Sequence, residues 1–199
     1  MLAGRLGPRY SLIPYENKGS NDFKVVYRRH TNFSMETVEH TLNGNPDFGR
    51  PSNVTILRNG DLATRIYLKI RLNSVRLDLN DNNVDERLSV AWVRRLGHSL
   101  LKHVDVEIGG SRIDRQYGTW LDIWYELTHD DNQERGYRAM IGDVPELTRL
   151  HPVNRNAPEV IPEYTLYIPL QFWFNRNTGL ALPLIALSCR AKNHQLMIV

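Results

Sequence analysis

Short apolar runs that alternate with polar residues, each bounded by turn-forming residues, are the feature that most constrains the fold of this chain. Aliphatic residues alternate with polar or aromatic ones from Ile66 to Arg71, and the same period of two recurs from Val104 to Ile108. Because successive side chains of a strand point to opposite faces, this spacing predicts half-buried antiparallel strands. The pattern therefore favours an all-β fold.

Two turns that contain glycine are predicted to join strands into hairpins. An Asn-Gly pair at 59–60 separates two aliphatic runs within residues 53–73, and Asn-Gly supplies the positive φ angles of a tight hairpin turn. A Gly-Gly pair at 109–110 separates residues 104–108 from residues 112–114. We predict one β-hairpin at each turn.

The last third of the chain contains further apolar runs. Residues 164–170 and 172–174 are predicted strands, and residues 175–179 supply turn chemistry. The final run, residues 180–187, contains Pro183, which cannot donate a ladder hydrogen bond and must lie at an edge or bulge. Many short strands with few helices favour an antiparallel β-sandwich.

Helical spacing is confined to two short segments. Apolar residues recur every three or four positions from Tyr117 to Thr128, with Ser111 or Asp114 as the expected cap, and Trp120 and Trp124 are interpreted as core residues on this helix. Another turn or two of helix is predicted within residues 92–101.

A polar stretch follows the longer helix. Residues 129–163 are polar and contain four prolines, at Pro145, Pro152, Pro158 and Pro162. We interpret them as a long surface loop between strands.

Composition excludes several classes of protein. The chain has 199 residues, 41% of them hydrophobic, which is enough for one domain with a real core. It has no apolar run of about 18 residues, and its opening lacks an apolar stretch of signal-peptide length, so a secreted or membrane-inserted protein is disfavoured. Cys189, the single cysteine, has no partner for a disulfide or a zinc site and is interpreted as a semi-buried strand thiol.

Catalytic and metal-binding patterns are absent from the sequence. The histidines form no metal-spaced pair, and no nucleophile elbow or phosphate-binding loop occurs. The acidic pairs at 85–86 and 130–131 lie in polar runs, where neighbouring acids usually serve solubility. We predict no catalytic residue, no metal site and no cofactor. The histidines considered are His30, His40, His98, His103, His129, His151 and His194.

Charge gives only a weak indication of partners. The formal net charge is +3, too small to indicate nucleic acid, and two small basic groups are interpreted as solvated surface in preference to a phosphate-binding patch. Nearby aromatic residues are too few for a single-strand binding groove, so no sequence-specific nucleic acid partner is expected. The basic groups are Lys24, Arg28, Arg29 and His30, and Arg94 with Arg95.

Two tripeptides match the N-glycosylation sequon. They begin at Asn32 and Asn53, and Asn53 stands where a strand begins. Both are retained as candidate modification sites.

Three stretches, taken in order, resemble one protein family. They are FKVVYRRHTNFSMETVEHTLNGNPDFGRPSNVTILRNG at 23–60, VDVEIGGSRIDRQYGTWLDIWYELT at 104–128 and FWFNRNTGLALPLIAL at 172–187. The chain is similar in these stretches to the N-terminal jelly-roll part of the major capsid proteins of nucleocytoplasmic large double-stranded DNA viruses, the iridovirus, phycodnavirus and mimivirus relatives.

The resemblance implies a fold and a function. The fold is a jelly roll, two facing four-stranded sheets, with one or two short helices in the connections. The function is that of a structural capsid protein that forms homotrimeric, pseudo-hexagonal capsomers of an icosahedral shell. Its expected partners are copies of itself and other capsid proteins, with an internal viral membrane nearby. It would be assembled in the infected host cell and reside in the virion, without enzymatic activity.

The resemblance is incomplete at both ends. Residues 1–22 are interpreted as a poorly matching arm, and residues 23–199 as a single jelly-roll domain, either complete or incomplete. The tail after Leu187 is expected to leave the family pattern, and a missing last strand would expose an unpaired sheet edge. A fragment, a frameshifted product and a single-barrel paralogue each fit. The runner-up function is a single jelly roll acting as a minor capsid, vertex or carbohydrate-binding module.

Overall fold

A computed structural model of the chain describes residues 2–4, 13–15, 24–26, 32–77, 88–153, 159–187 and 194–198. The strands are β1 (Leu2–Gly4), β2 (Ile13–Tyr15), β3 (Lys24–Val26), β4 (Met35–Thr37), β5 (Ser52–Thr55), β6 (Leu62–Ala63), β7 (Tyr67–Leu72), β8 (Val75–Leu77), β9 (Ser89–Val90), β10 (His103–Ile108), β11 (Ser111–Tyr117), β12 (His151–Pro152), β13 (Glu159–Ile161), β14 (Tyr164–Pro169), β15 (Leu182–Pro183) and β16 (His194–Ile198). The helices are α1 (Leu96–Ser99), α2 (Gly118–Thr128), α3 (Asp131–Ile141), α4 (Pro145–Thr148), α5 (Trp173–Arg176) and α6 (Leu184–Leu187), with a 3-10 turn at Thr178–Leu180.

The described strands form antiparallel sheets. Two sheets have four strands each, in the orders β15-β6-β1-β4 and β11-β10-β16-β5. Four two-stranded ladders, β12-β9, β13-β8, β14-β7 and β2-β3, complete the pairing. The all-β, antiparallel class predicted from the alternating pattern is confirmed.

The ladder of β7 and β14 shows how the alternating pattern becomes a wall of the core. Leu68 lies opposite Ile168 and Leu72 opposite Tyr164. Leu68, Leu72 and Ile168 are buried, whereas the intervening Tyr167 is exposed. The predicted strand over residues 164–170 is confirmed.

The two predicted hairpins have opposite outcomes. The Gly-Gly hairpin is confirmed, since β10 and β11 pair directly and both Gly109 and Gly110 have positive φ angles, 65° and 80°. The Asn-Gly hairpin is wrong. The strand before that turn, β5, pairs with β16, and the short strand after it, β6, pairs with β1 and β15. The longer strand that follows, β7, pairs with β14. Distant partners thus replaced the local pairing that the turn residues favoured.

The tail after Leu187 contributes a strand, β16, to the sheet that contains β10 and β5. Within the part of the chain that the structure describes, β16 lies between β10 and β5, with Leu196 opposite both Val106 and Val54. The expectation that the sequence stops following a jelly-roll pattern at Leu187 is therefore wrong. Cys189 lies outside the described residues.

Helices are more numerous than predicted. The long helix is confirmed as α2, and α1 supplies the turn expected within residues 92–101. The caps expected for α2 are wrong, because Ser111 and Asp114 lie within β11 and Tyr117 occupies the N-cap of α2. Its buried face is formed by Leu121 and Tyr125, whereas Trp120 is 37% exposed, so the core assignment of Trp120 is wrong.

The polar stretch from His129 contains helices α3 and α4 and is not a simple loop. The Asp130 side chain accepts a hydrogen bond from the Asn132 backbone and caps α3. Gly142, at a φ of 79°, ends the helix in the left-handed conformation that favours glycine. Capping chemistry therefore specifies α3 although its composition is polar.

Two predicted strands are largely helical, and only Leu182–Pro183 of the run 180–187 is a strand. Residues 173–176 form α5 and residues 184–187 form α6. Asn175 fixes the first of these turns, since its side chain accepts from the Phe172 backbone at 3.1 Å and donates to the Thr64 carbonyl at 2.7 Å. Pro183 lies in the edge strand β15 of its sheet, so the edge position predicted for it is confirmed.

One hydrophobic core connects the walls and the helices. Its fully buried members come from α2, α4, α5, α6 and several strands. Those with 0–1% exposure are Ala63, Val104, Leu121, Leu147, Ile161, Leu166, Ile168, Phe172, Phe174 and Leu184.

Candidate functional site

The described residues contain neither a cluster of metal ligands nor a membrane-spanning helix. Across the described ranges, no group of three or more His, Cys, Asp or Glu residues is placed to hold a metal ion. No helix in those ranges is both long and apolar enough to cross a membrane. The acidic pair at 85–86 lies outside the described residues, and Asp130 acts as a helix cap.

A buried histidine joins three helices. The side chain of His98, on α1, has no exposed surface, and its Nδ1 lies 2.6 Å from Asp122 on α2. Its Nε2 lies 2.9 Å from the Tyr137 hydroxyl on α3. These partners fit a neutral ring whose Nδ1 donates to the carboxylate and whose Nε2 accepts from the hydroxyl. We call His98, Asp122 and Tyr137 the helix cluster.

The electrostatics of the helix cluster suit a structural role. Burial lowers the pKa of His98 even though Asp122 opposes this shift. Burial also raises the pKa of Tyr137, aided by the Asp122 charge, so the hydroxyl is a poor nucleophile at neutral pH. Because the imidazole is closed to solvent, the cluster joins helices and offers no route to a substrate.

Two glycines allow the helices to approach one another closely. A Cβ at Gly118, the first residue of α2, would overlap the carbonyl oxygens of His98 and Leu101. A Cβ at Gly97 would lie 2.9 Å from Ile168. Close contact between backbones therefore accompanies the polar cluster.

The basic pair at Arg94 and Arg95 is used in ion pairs with the helices. Arg94 lies 3.2 Å from the buried carboxylate of Asp143, and Arg138 approaches the same carboxylate at 3.2 Å. Although burial opposes it, these arginines hold the pKa of Asp143 below its usual value. Arg95 pairs with Glu126 and lies over the Tyr125 ring at 5.0 Å. The guanidinium groups are thus engaged within the chain.

Lysine 24 and its basic neighbours are a different case. Only the backbone of Lys24 is described, within β3, and residues 28–30 lie outside the described ranges. The surface interpretation of this group stays a prediction.

A second buried carboxylate is neutralised across the β10–β11 hairpin. Asp105 is 2% exposed, and Arg115 donates two hydrogen bonds of 2.6 Å to it. The hydrogen bond from Arg115 is the main cause of the lowered pKa of Asp105. The pair fixes the hairpin register.

A second buried histidine has different partners. In His151, Nδ1 lies 2.9 Å from Glu159 and Nε2 lies 3.1 Å from the Glu146 carbonyl oxygen. Both partners are hydrogen-bond acceptors, unlike the carboxylate and hydroxyl that flank His98. Arg149 donates to the same Glu159 oxygen at 2.7 Å.

Helix α2 presents an exposed apolar stripe opposite its buried face. Trp120, Ile123 and Leu127 are 37%, 51% and 75% exposed, and their spacing of three and four residues places them on one side of the helix. Trp124 flanks the stripe, with Arg176 at 4.8 Å over its ring. Contiguous exposed apolar side chains of this kind mark interaction surfaces. We call Trp120, Ile123 and Leu127 the α2 stripe.

A cleft of about 610 Å³ lies beside β7. One wall is formed by residues 37–42 and the other by residues 66–69, with aliphatic side chains between them. A salt bridge of 3.1 Å between Glu39 and Lys69 spans the walls. We call this cleft the edge slot.

The sequon asparagines occupy unlike positions. Asn32 is exposed. Asn53 lies in β5, and its side-chain oxygen accepts a 2.7 Å hydrogen bond from Asn43. Both sites stay predictions, and the exposed Asn32 is the more accessible.

Sequence reasoning missed the helix cluster. His98, Asp122 and Tyr137 are far apart in the chain and belong to no spaced motif. Their grouping depends on the packing of three helices, one of which lies in the stretch interpreted as a loop.

Comparison with known proteins adds a family match. A family model described as "Major capsid protein N-terminus" matches residues 22–196. The match continues past Leu187, which agrees with the placement of β16 between β10 and β5. Whether residues 1–22 are a separate arm stays a prediction.

Curated relatives agree with that match. The chain is 49% identical over 168 residues to "Capsid protein 1" of Acanthamoeba polyphaga mimivirus, covering 83% of this chain and 28% of that protein. It is 50% identical over 181 residues to the "Major capsid protein" of Phaeocystis pouchetii virus, covering 83% of this chain and 34% of that protein. The chain thus spans about a third of the length of these relatives.

A solved structure shares the fold. The structure described as "PBCV-1 virus capsid, quasi-atomic model" superposes with a TM-score of 0.67 at 33% identity, covering 88% of this chain and 37% of that one.

Proposed function

The chain belongs to the major capsid protein family of large double-stranded DNA viruses, and from this premise we propose that it is a structural building block of an icosahedral viral shell. It supplies the N-terminal jelly-roll part of a trimeric, pseudo-hexagonal capsomer. The observation that carries the proposal is the family match over residues 22–196. The likeness to a solved virus capsid supports it.

The distribution of polar and apolar groups also supports an assembly role. The buried charges of Asp105 and Asp143 are neutralised within the chain, and His98 is hydrogen-bonded on both ring nitrogens. In contrast, the α2 stripe leaves large apolar side chains in solvent. Capsid contacts are spread over surfaces and need no reactive residue, so we assign no enzymatic activity and no cofactor.

The proposed partners follow from this role. They are copies of the chain and other capsid proteins, with the virion as the site of residence and an internal viral membrane nearby. Assembly takes place in the infected cell. Glycosylation, where it occurs, is assigned to Asn32 before Asn53.

Size-exclusion chromatography with light scattering tests the proposal. We expect the purified chain to form a trimer or larger species as concentration rises, and Leu127→Glu to weaken that association because it places a charge in the α2 stripe. Gln133→Glu on α3 is the matched control, since it adds the same charge at an exposed polar position. A wild-type chain that stays monomeric at every accessible concentration contradicts the proposal.

A further inference from the structure

The chain contains two Asn-Gly pairs, at residues 43–44 and 59–60. Asparagine is a thermolabile residue, and a following glycine has no Cβ to hinder the approach of its backbone nitrogen to the asparagine amide carbon. Such a reaction needs a side-chain amide that is free to turn toward that nitrogen and a glycine N–H without a hydrogen bond. The two pairs differ in the first of these requirements.

The Asn59 amide is free to turn. Asn59 is exposed and lies in a bend between β5 and β6, outside any helix or strand. Among the described residues, neither its side chain nor the backbone N–H of Gly60 takes part in a hydrogen bond. Ring closure at this pair therefore breaks no hydrogen bond within the described part of the chain.

The Asn43 amide is held in place by Asn53. It donates a 2.7 Å hydrogen bond to the Asn53 side-chain oxygen, and the Asn43 backbone N–H donates to the Asn53 carbonyl oxygen at 2.7 Å. Asn53 lies in β5, so both contacts attach Asn43 to a sheet. The Asn43 amide must lose its hydrogen bond before it turns toward the Gly44 nitrogen, which slows its reaction relative to that of Asn59.

We propose that Asn59 is a site of spontaneous deamidation and that the fold protects Asn43 from the same reaction. The Gly60 nitrogen attacks the side-chain carbonyl carbon of Asn59, a bond forms between these two atoms, and the bond from that carbon to the amide nitrogen breaks. Ammonia leaves with the proton that the Gly60 nitrogen gives up. Water then opens the cyclic imide at either carbonyl and produces aspartate or isoaspartate. The reaction needs no partner, so it is independent of the proposed function.

Deamidation changes the charge of a polar cleft of about 380 Å³. Asn59 lines this cleft together with the carboxylates of Glu36 and Asp61 and the guanidinium of Arg58. The reaction adds a third carboxylate there and lowers the formal net charge of +3 by one. Ion-exchange chromatography therefore separates the modified chain from the unmodified chain.

Peptide mapping by mass spectrometry tests the inference on the full chain, incubated at mildly alkaline pH in the folded state and in urea. We expect Asn59 to deamidate at least roughly five-fold faster than Asn43 in the folded chain, because only Asn43 must lose a hydrogen bond. In urea the contacts with Asn53 are lost, so the ratio of the two rates should fall below roughly two-fold.

Three results overturn the inference. The first is an equal or faster rate at Asn43 in the folded chain. The second is a difference that persists unchanged in urea, because neighbouring sequence and not the fold would then set the two rates. The third is an Asn59 rate that is at least roughly ten-fold lower in the folded chain than in urea, because the fold would then protect this pair as well.

Removal of the Asn53 side chain gives an independent test. Asn53→Ala takes away the acceptor of the Asn43 amide and leaves the sequence of the second pair unchanged, so Asn59 in the same sample is the internal control. We expect the Asn43 rate to rise at least roughly three-fold while the Asn59 rate stays constant. An unchanged Asn43 rate in a folded variant overturns the protection, and the comparison with urea decides the matter if the variant does not fold.

Discussion

The helix cluster and the outer edge of β7, which faces away from β14, differ in whether their polar groups have hydrogen-bond partners among the described residues. In the helix cluster, His98 is closed to solvent and both of its ring nitrogens have partners. Along β7, the outward backbone groups lack partners within the described part of the chain, although aliphatic surface lies beside them. The comparison indicates that the helix cluster stabilises the fold from within the described residues, whereas the outer edge of β7 takes no hydrogen bond from them.

The largest expected effect on stability is at Gly118, where α2 begins in contact with the backbone of His98 and Leu101. Gly118→Val would force a side chain into the carbonyl oxygens of His98 and Leu101. We expect the free energy of unfolding to fall by about 3 kcal/mol or more, because rigid backbone must move. Urea unfolding checks this, with Gly136→Val, which meets no atom within 4 Å, as the variant that controls for helix propensity. Equal losses in the two variants would show that helix propensity alone is responsible.

The hydroxyl of the cluster should contribute less. Tyr137→Phe leaves the buried Nε2 of His98 without its 2.9 Å partner. We expect a loss of about 1–3 kcal/mol, the cost of an unsatisfied buried polar group. Tyr67→Phe, on the exposed side of β7, is the matched control and should change the free energy of unfolding by less than about 0.5 kcal/mol. A neutral Tyr137→Phe variant would mean that the cluster is not closed.

Acid should destabilise the helix cluster through His98. Its pKa is lowered in the folded chain by burial, whereas the unfolded chain titrates near the ordinary value of about 6.5. As pH falls below about 6.5, the unfolded state binds a proton that the folded state resists, so the free energy of unfolding declines until the folded pKa is reached. His98→Asn should reduce that decline between about pH 7 and about pH 5. An unchanged slope would assign the acid sensitivity to other groups.

The smallest expected effect on stability is at the rim of the edge slot. Lys69→Ala removes an ion pair with Glu39 in which the two side chains are 47% and 71% exposed. Exposed pairs contribute little, so thermal unfolding of the monomer should change by less than about 1 kcal/mol. A larger loss would mean that the rim is part of the stabilised interior.

The predictability of these regions differs for physical reasons. The β7–β14 ladder and the hairpin at Gly109-Gly110 follow from local patterns, since alternation and positive φ angles are properties of neighbouring residues. The Asn-Gly turn at 59–60 misled because β5 and β7 take partners from distant parts of the chain.

Short apolar runs were ambiguous for a related reason. Phe172 to Phe174 has the composition of a buried strand or of a buried helical turn, and periodicity cannot separate them over so few residues. The side chain of Asn175, bonded to Phe172 and to Thr64, settles the turn in the structure. The members of the helix cluster lie on three separate helices and come together only when those helices pack. No sequence motif therefore identifies the cluster.

Electron microscopy of the concentrated chain tests the central claim, that this protein is a self-assembling capsid component, most directly. We predict particles with threefold symmetry whose mass by light scattering is three times the 23.1 kDa of one chain or a larger multiple. Homogeneous, asymmetric particles of 23.1 kDa at all concentrations would contradict it.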